Sequence, residues 1–397
     1  MHLSSLLTRF NEPETLKMAK LGRELKASGA DVTDLSLGEP DFDTPQHIKE
    51  AAKKAIDDNY SHYTPVAGYA DVRQAVCDKL KRENGLEYEP AQIVLSTGAK
   101  QCIANVVLAI VDKDDEVIIP TPYWVTYSEI VRLAGGKVCL VKTTLENGFK
   151  ITASQLESAI NVKTRLFMFS SPCNPSGAVY SKAELAALAE VFKKHPQVYI
   201  MSDEIYEHIN YDGTHESIAQ FNEIKNRVIL INGLSKAYAM TGWRLGYMAC
   251  NKEIAAACEK LQGQFTSATC SISQRAAIAA LTGTMEPTEK MLEEFRTRRA
   301  TVLSLIKEIP GIKCSEPPGA FYIFPDVSSY FGKKKQNGET IADADDLCMY
   351  LLHNAHVSTV SGKGFGEPAC IRISFANSLQ NIEKGFAKIK KALASLQ

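Results

Sequence analysis

Short apolar runs alternate with longer amphipathic stretches from about residue 90 to 250. The runs are Ile93–Ser96, Glu116–Ile119, Lys137–Val141, Arg165–Phe169, Val198–Met201, Arg227–Ile231 and Arg244–Ala249. They are rich in Val, Ile, Leu and Phe and show little polar alternation, which predicts strands buried on both faces. Between them, Ala99–Leu108, Tyr127–Leu133, Ala153–Ile160 and Lys182–Lys194 carry helical periodicity. Strands alternating with helices predict an α/β fold: a mostly parallel, mixed sheet of seven strands flanked by helices. Ligands of such sheets bind beyond the carboxyl ends of the strands.

The pattern changes after residue 285. A long charged helical stretch, about Glu286–Ile309, leads into Gly319–Phe324, a helix near Asp343–His353, strand-like Val357–Val360 and Ile371–Phe375, and a final amphipathic helix. This reads as a smaller α+β domain formed by residues 286–397. Residues 1–45 are expected to join it, because Pro40 and Pro45 interrupt the chain before the next helix begins. Residues 46–285 then form the large α/β domain. No repeat or low-complexity segment is present.

Composition narrows the class. The chain has 397 residues, 45% of them hydrophobic and 23% charged, with a net charge of −1. Dispersed Lys and Arg leave no nucleic-acid footprint and no basic membrane face, apart from the short run Lys333–Lys335. None of the ten cysteines forms a C-x-x-C pair, so buried reduced thiols are expected, with neither a disulfide scaffold nor a metal site. No run approaches the ~18 apolar residues of a membrane span. The first ten residues lack a signal peptide's apolar core. A cytoplasmic protein is expected.

Candidate chemistry falls just after the predicted strand ends. Asn232-Gly233-Leu234-Ser235-Lys236 places a lysine among small and apolar neighbours, eight residues before Arg244. Desolvation lowers a lysine pKa and makes its amine a nucleophile toward aldehydes. Asp203 ends another apolar run, with Tyr206 three residues on; an N-cap or structural ion pair is the plainer, less favoured account of the acid. Arg244 offers a fork of donors to a phosphate. Thr97-Gly98-Ala99-Lys100 turns from strand into helix with bare amides suited to the same anion. Trp124 offers an aromatic face or a core side chain. Asn174, in the turn Ser171–Gly177, can donate an amide proton. Arg372 interrupts an apolar strand and needs an anion, which a substrate carboxylate would supply. An imine-forming lysine, a phosphate-binding arginine, an acid for a ring nitrogen and a tyrosine for a phenolate fit pyridoxal 5′-phosphate.

These motifs, in this order, resemble the fold type I, class I aminotransferases, most closely their subgroup Ib aspartate aminotransferases. The resemblance runs from Leu37–Phe42 through Tyr63–Gly68, Pro122–Trp124, Asn174–Gly177, Ser202–Tyr206 and Ser235–Arg244 to Arg372. It implies that Lys236 is the Schiff-base lysine and proton shuttle, that Asp203 pairs with the ring nitrogen, and that Tyr206 and Asn174 bind the phenolate oxygen. It implies a ring covered by Trp124 and a phosphate held by Gly98, Ala99, Ser235 and Arg244, with Lys100 beside them. Tyr63 would reach in from the partner of a homodimer. Arg372 would grip the substrate α-carboxylate with Asn174, Trp124 and the Gly38 backbone. Lys100 would meet the distal carboxylate of aspartate or glutamate, with 2-oxoglutarate or oxaloacetate as oxo acids.

Three positions depart from that pattern. Gly233 stands where many relatives have a phosphate-binding serine, so that contact is absent or moved to Ser235. The Asn-Pro-Thr-Gly turn reads Asn-Pro-Ser-Gly. Glu12-Pro13-Glu14 replaces a Lys-Pro-Ser segment of relatives that use prephenate, which counts against prephenate here. Within the same chemistry, the alternatives are an aromatic or kynurenine aminotransferase and a C–S β-lyase. A cofactor-binding regulator lacks its DNA-binding extension here. A nucleotide-dependent dehydrogenase lacks a Gly-rich strand–helix turn, since Gly362-Lys-Gly-Phe-Gly366 lies late and out of context.

Overall fold

The computed structural model describes residues 2–12 and 14–397. Its strands, in chain order, are β1 (Thr33–Asp34), β2 (Ile93–Ser96), β3 (Glu116–Pro120), β4 (Lys137–Val141), β5 (Thr164–Ser170), β6 (Tyr199–Asp203), β7 (Val228–Gly233), β8 (Gly246–Ala249), β9 (Tyr322–Ile323), β10 (Val357–Ser358), β11 (Val360–Ser361) and β12 (Ile371–Ser374). The first five α-helices are α1 (Glu14–Ala27), α2 (Gln46–Asp57), α3 (Ala70–Asn84), α4 (Ala99–Ile110) and α5 (Thr126–Ala134).

Seven strands form one sheet in the order β2-β8-β7-β6-β5-β3-β4. Only β8 is antiparallel to its neighbours, β2 and β7. The expected mixed, mostly parallel sheet is therefore present. Burial on both faces explains the apolar runs. Phe167, Phe169, Val228 and Leu230 pack into one buried cluster, whereas Leu166, Met168, Ile229 and Ile231 pack into another. Successive residues point to opposite sides of a strand, so each run supplies both layers.

A third cluster gathers Phe295, Phe321, Tyr322, Phe375 and Phe386 with Met18 and Leu35 from the start of the chain. The two chain ends also share a ladder: β1 pairs in parallel with β10, Thr33 opposite Val357.

Most strand limits shift by a residue or two, and three runs differ from the sequence expectation in kind. The run from Arg244 begins as a strand only at Gly246, because Arg244 adopts a left-handed backbone (φ 54°). Val357–Val360 divides at Thr359: β10 joins β1, while β11 joins β12. Within Gly319–Phe324 only Tyr322 and Ile323 are strand, paired with β12. All ten cysteines are free thiols.

Candidate active site

The carboxyl ends of β2, β3, β5, β6 and β7 share one edge of the sheet. Because β8 runs the other way, its amino end reaches the same edge, and Arg244 just before it arrives beside Gly98 after β2. A cavity of ≈ 330 Å³ opens there. Gly38, Ala99, Lys100, Trp124, Asn174, Asp203, Tyr206, Ser235, Lys236, Arg244 and Arg372, all singled out from sequence, line it.

Lys236 follows β7 and donates from Nζ to the Gly38 carbonyl at 2.5 Å. Burial lowers its pKa to about 8, against the pull of Glu39. Asp203 ends β6 at 4% exposure. Its Oδ2 accepts the Tyr127 hydroxyl proton at 2.7 Å and its Oδ1 accepts the Ile205 N–H at 3.3 Å. Burial lifts its pKa to about 6 despite those bonds. The carboxyl is thus a costly buried group that a cationic partner would relieve. Tyr206 and Tyr322 share a hydroxyl–hydroxyl hydrogen bond of 2.8 Å.

Gly98 and Arg244 form a compact anion cradle. Gly98 has φ 81° and caps α4 without a side chain; a Cβ there would lie 2.4 Å from Arg244 Nη2. Arg244 donates to the Thr241 carbonyl at 2.8 Å. The helix start adds free amides and a positive dipole end. Ser235 is buried on the same wall. At Gly233 a Cβ would meet Gly246 Cα and Leu245 O at 2.9 Å, so the backbone packing itself calls for glycine there.

Arg372 lies opposite, 2% exposed on β12. It donates to Asn174 Oδ1 at 3.0 Å and to the Ser36 carbonyl at 2.5 Å, and Tyr322 and Phe365 flank its guanidinium. Its Nε is buried without a partner, and burial lowers its pKa. A buried guanidinium lacking a carboxylate is a site waiting for an anion. Lys100, in the first turn of α4, sits 4.9 Å from the Trp124 ring centroid, its pKa lowered by burial and then by Arg244.

Of the predicted site residues, Gly98 sits behind the lining against Arg244, and Tyr63 lies away from the cavity. It is 97% exposed and borders a separate hollow of ≈ 340 Å³, between Ser61–Thr64 and Thr266–Ser271. Several lining residues escaped the sequence reading, four of them with side chains that bear on the chemistry. Tyr127 and Tyr322 reach the cavity from α5 and β9, and Glu39 accepts the Thr241 hydroxyl at 2.8 Å. The fourth is Arg23 on α1. Of the Glu12-Pro13-Glu14 departure, Pro13 lies outside the described residues; Glu14 opens α1.

The family model for aminotransferase class I and II matches residues 30–389. The chain belongs to that family. An aspartate/prephenate aminotransferase of Cereibacter sphaeroides is 45% identical over 99% of both chains. The aspartate aminotransferase of Bacillus subtilis is 43% identical over 98% of each. Among solved structures, the aspartate aminotransferase of Rhizobium meliloti superposes with a TM-score of 0.96 at 41% identity, covering 100% of both chains. The Thermus thermophilus aspartate aminotransferase with maleate gives 0.93 at 36%, covering 99% of this chain and 100% of that one. This aminotransferase thus has the fold type I architecture of its relatives, and no helix among its described residues is long and apolar enough to cross a membrane.

A buried polar layer backs the site. Glu207, next to Tyr206, makes a close contact with Lys79 of α3, which is 1% exposed, and accepts from Asn232 at 2.7 Å and Asn84 at 2.9 Å. Burial works to raise the Glu207 pKa, but Lys79, His208 and His215 hold it below the usual carboxylate range. Glu204 accepts from Ser202 and Ser217 and pairs with His215 at 2.8 Å. Neither acid lines the cavity, and their bonds anchor the segment carrying Asp203 and Tyr206. Lys79→Met keeps the side-chain length but removes the buried ammonium from Glu207, leaving it Asn232, Asn84 and the nearby His208. It is expected to cost about 3–5 kcal/mol of stability, read from denaturant unfolding. A loss below about 1 kcal/mol would show that Glu207 finds other compensation.

Proposed function

We propose that this aminotransferase uses pyridoxal 5′-phosphate to exchange an amino group between L-aspartate or L-glutamate and 2-oxoglutarate or oxaloacetate. The observation that carries the reading is the pairing of the buried Arg372, with its unpartnered Nε, and Lys236 in one cavity. The residues present fit the cofactor. Gly98 leaves room for Arg244 where a Cβ would collide, and Asp203 is a buried acid with no cation bonded to it among the described residues.

When bound, the cofactor supplies the electron sink for the carbanion left at the substrate α-carbon. The remaining work falls to the chain. Arg244, Ser235 and the amides after Gly98 would hold the phosphate. Asp203, oriented by Tyr127, would keep a proton on the pyridine nitrogen. Tyr206 and Asn174 would serve the phenolate oxygen, and Trp124 the ring face. Arg372, with Asn174, takes the α-carboxylate. The Lys236 amine would hold and move the proton at the substrate α-carbon. Lys100 meets the distal carboxylate. Two half-reactions then balance: one amino acid becomes its oxo acid, and the second oxo acid becomes its amino acid.

The test is product identity. Purified protein given aspartate and 2-oxoglutarate should yield glutamate and oxaloacetate in equal amounts. Pyruvate from a cysteine conjugate, with no glutamate formed from 2-oxoglutarate, would instead favour the β-lyase. Prephenate belongs in the same assay as an acceptor, because it figures in the Cereibacter relative's name.

We propose that the working unit is a homodimer in which Tyr63 completes the neighbour's phosphate site. An almost fully exposed tyrosine on the rim of the hollow that Thr266–Ser271 share supports an isologous contact. Sedimentation at assay dilution should give the dimer mass; a fully active monomer would contradict it.

A further inference from the structure

We infer that Arg23 is a second reader of the substrate's distal carboxylate, acting with Lys100 across the cavity mouth. This rests on the dicarboxylate reading above and adds a specificity-determining residue to it. The cavity is lined by five cations, Arg23, Lys100, Lys236, Arg244 and Arg372, against two carboxylates, Glu39 and Asp203.

Four of the five cations are committed. Lys236 bonds the Gly38 carbonyl, Arg244 the Thr241 carbonyl beside Gly98, and Arg372 both Asn174 and Ser36. Lys100 rests over the Trp124 ring. Among the described residues, the exposed Arg23 guanidinium has neither a hydrogen bond nor an ion pair. Among the described residues lining the cavity, it is the cation that makes neither a hydrogen bond nor a contact with an aromatic ring.

The helix explains how Arg23 comes to face inward. Thr15, Ala19 and Arg23 recur every four residues, which places them on one face of α1, and all three line the cavity. Met18, Leu21 and Leu25 occupy another face and pack into the core built by the C-terminal elements, with Gly22 close against Ser358. That packing fixes α1 and so aims the Arg23 row at the mouth. A guanidinium can take a carboxylate with two parallel bonds, whereas the Lys100 ammonium acts as a point charge. Together they recognise a second carboxylate from two walls, and a neutral side chain has no group for Arg23.

The test compares Arg23→Gln and Arg23→Lys with wild type. One readout is binding of succinate, an unreactive dicarboxylate, against butyrate, followed by tryptophan fluorescence or calorimetry. The other is kcat/KM with aspartate against alanine. Arg23→Gln should weaken succinate binding and aspartate kcat/KM about tenfold or more, the scale of a lost charge-assisted bond. Butyrate and alanine should stay within about a factor of two, and Arg23→Lys should recover part of the aspartate loss. Equal losses on aspartate and alanine, or none on either, would overturn the role of Arg23 while wild-type turnover of aspartate left the proposed function standing. Wild-type protein that fails to transaminate aspartate would overturn the function itself, and this inference with it.

Discussion

Lys236→Ala is expected to abolish transamination while leaving the fold and the phosphate cradle intact. The substitution removes the amine that captures the cofactor aldehyde and the base that moves the proton at the α-carbon, so two steps fail together. Arg244 and the amides after Gly98 remain, and cofactor should still bind, though non-covalently and without the visible absorbance of the wild-type protein. Turnover within about tenfold of wild type would remove Lys236 from the centre of the mechanism.

The titration of this lysine gives a pH signature as well. Its pKa lies at about 8 rather than 10.5 in the cofactor-free protein, mainly because burial disfavours the ammonium. Aldehyde capture needs the free amine, so its rate should climb to about pH 8 and level there, instead of climbing toward 10.5. The sign for stability is the same. Between those two values the unfolded chain binds more protons than the folded one, so the contribution of Lys236 to stability improves as pH rises through the window.

Much of the site was legible because strand ends announce themselves. Lys236, Asp203, Asn174 and Gly98 each follow an apolar run closely, and a parallel sheet delivers such positions to one edge. Arg372 was legible for a different reason, since a charge inside an apolar strand demands a partner. The misses share a physical cause. Tyr127 and Tyr322 meet Asp203 and Tyr206 across 76 and 116 residues of sequence, and the local pattern around each tyrosine is that of an ordinary core residue. Arg23 lies on a helix whose spacing shows two faces, but nothing in that spacing says that the second face borders a cavity rather than water. Arg244 was placed in a strand because Leu245, Tyr247 and Met248 beyond it are apolar. Its left-handed backbone belongs to the loop Ala239–Arg244, pinned by Thr44 to the Ala239 carbonyl and to the Trp243 indole. A tertiary contact from 195 residues away set that conformation.

Asp203→Asn should keep the fold and lose most of the rate. Asparagine fills the same space and can still accept the Tyr127 hydroxyl bond, so the packing around β6 is preserved. What it lacks is the charge that keeps a proton on the pyridine nitrogen, and without that proton the carbanion loses its sink. The expected loss in kcat is on the order of 10³-fold or more, equivalent to ~4 kcal/mol of barrier. A second readout separates this role from a structural one. With the cavity free of cofactor, burial raises the Asp203 pKa to about 6, so the folded protein holds its proton more tightly than the unfolded chain does. A protonated ring binds only the ionised acid well. Cofactor affinity in the wild type should therefore fall as pH drops through about 6, and Asp203→Asn should abolish that dependence. A variant within about tenfold of wild-type turnover, or one whose cofactor affinity keeps the wild-type pH profile, would show that the ring nitrogen is held by something else. The two measurements fail independently, because the first reports the electron sink and the second reports the charge that Asp203 brings to it.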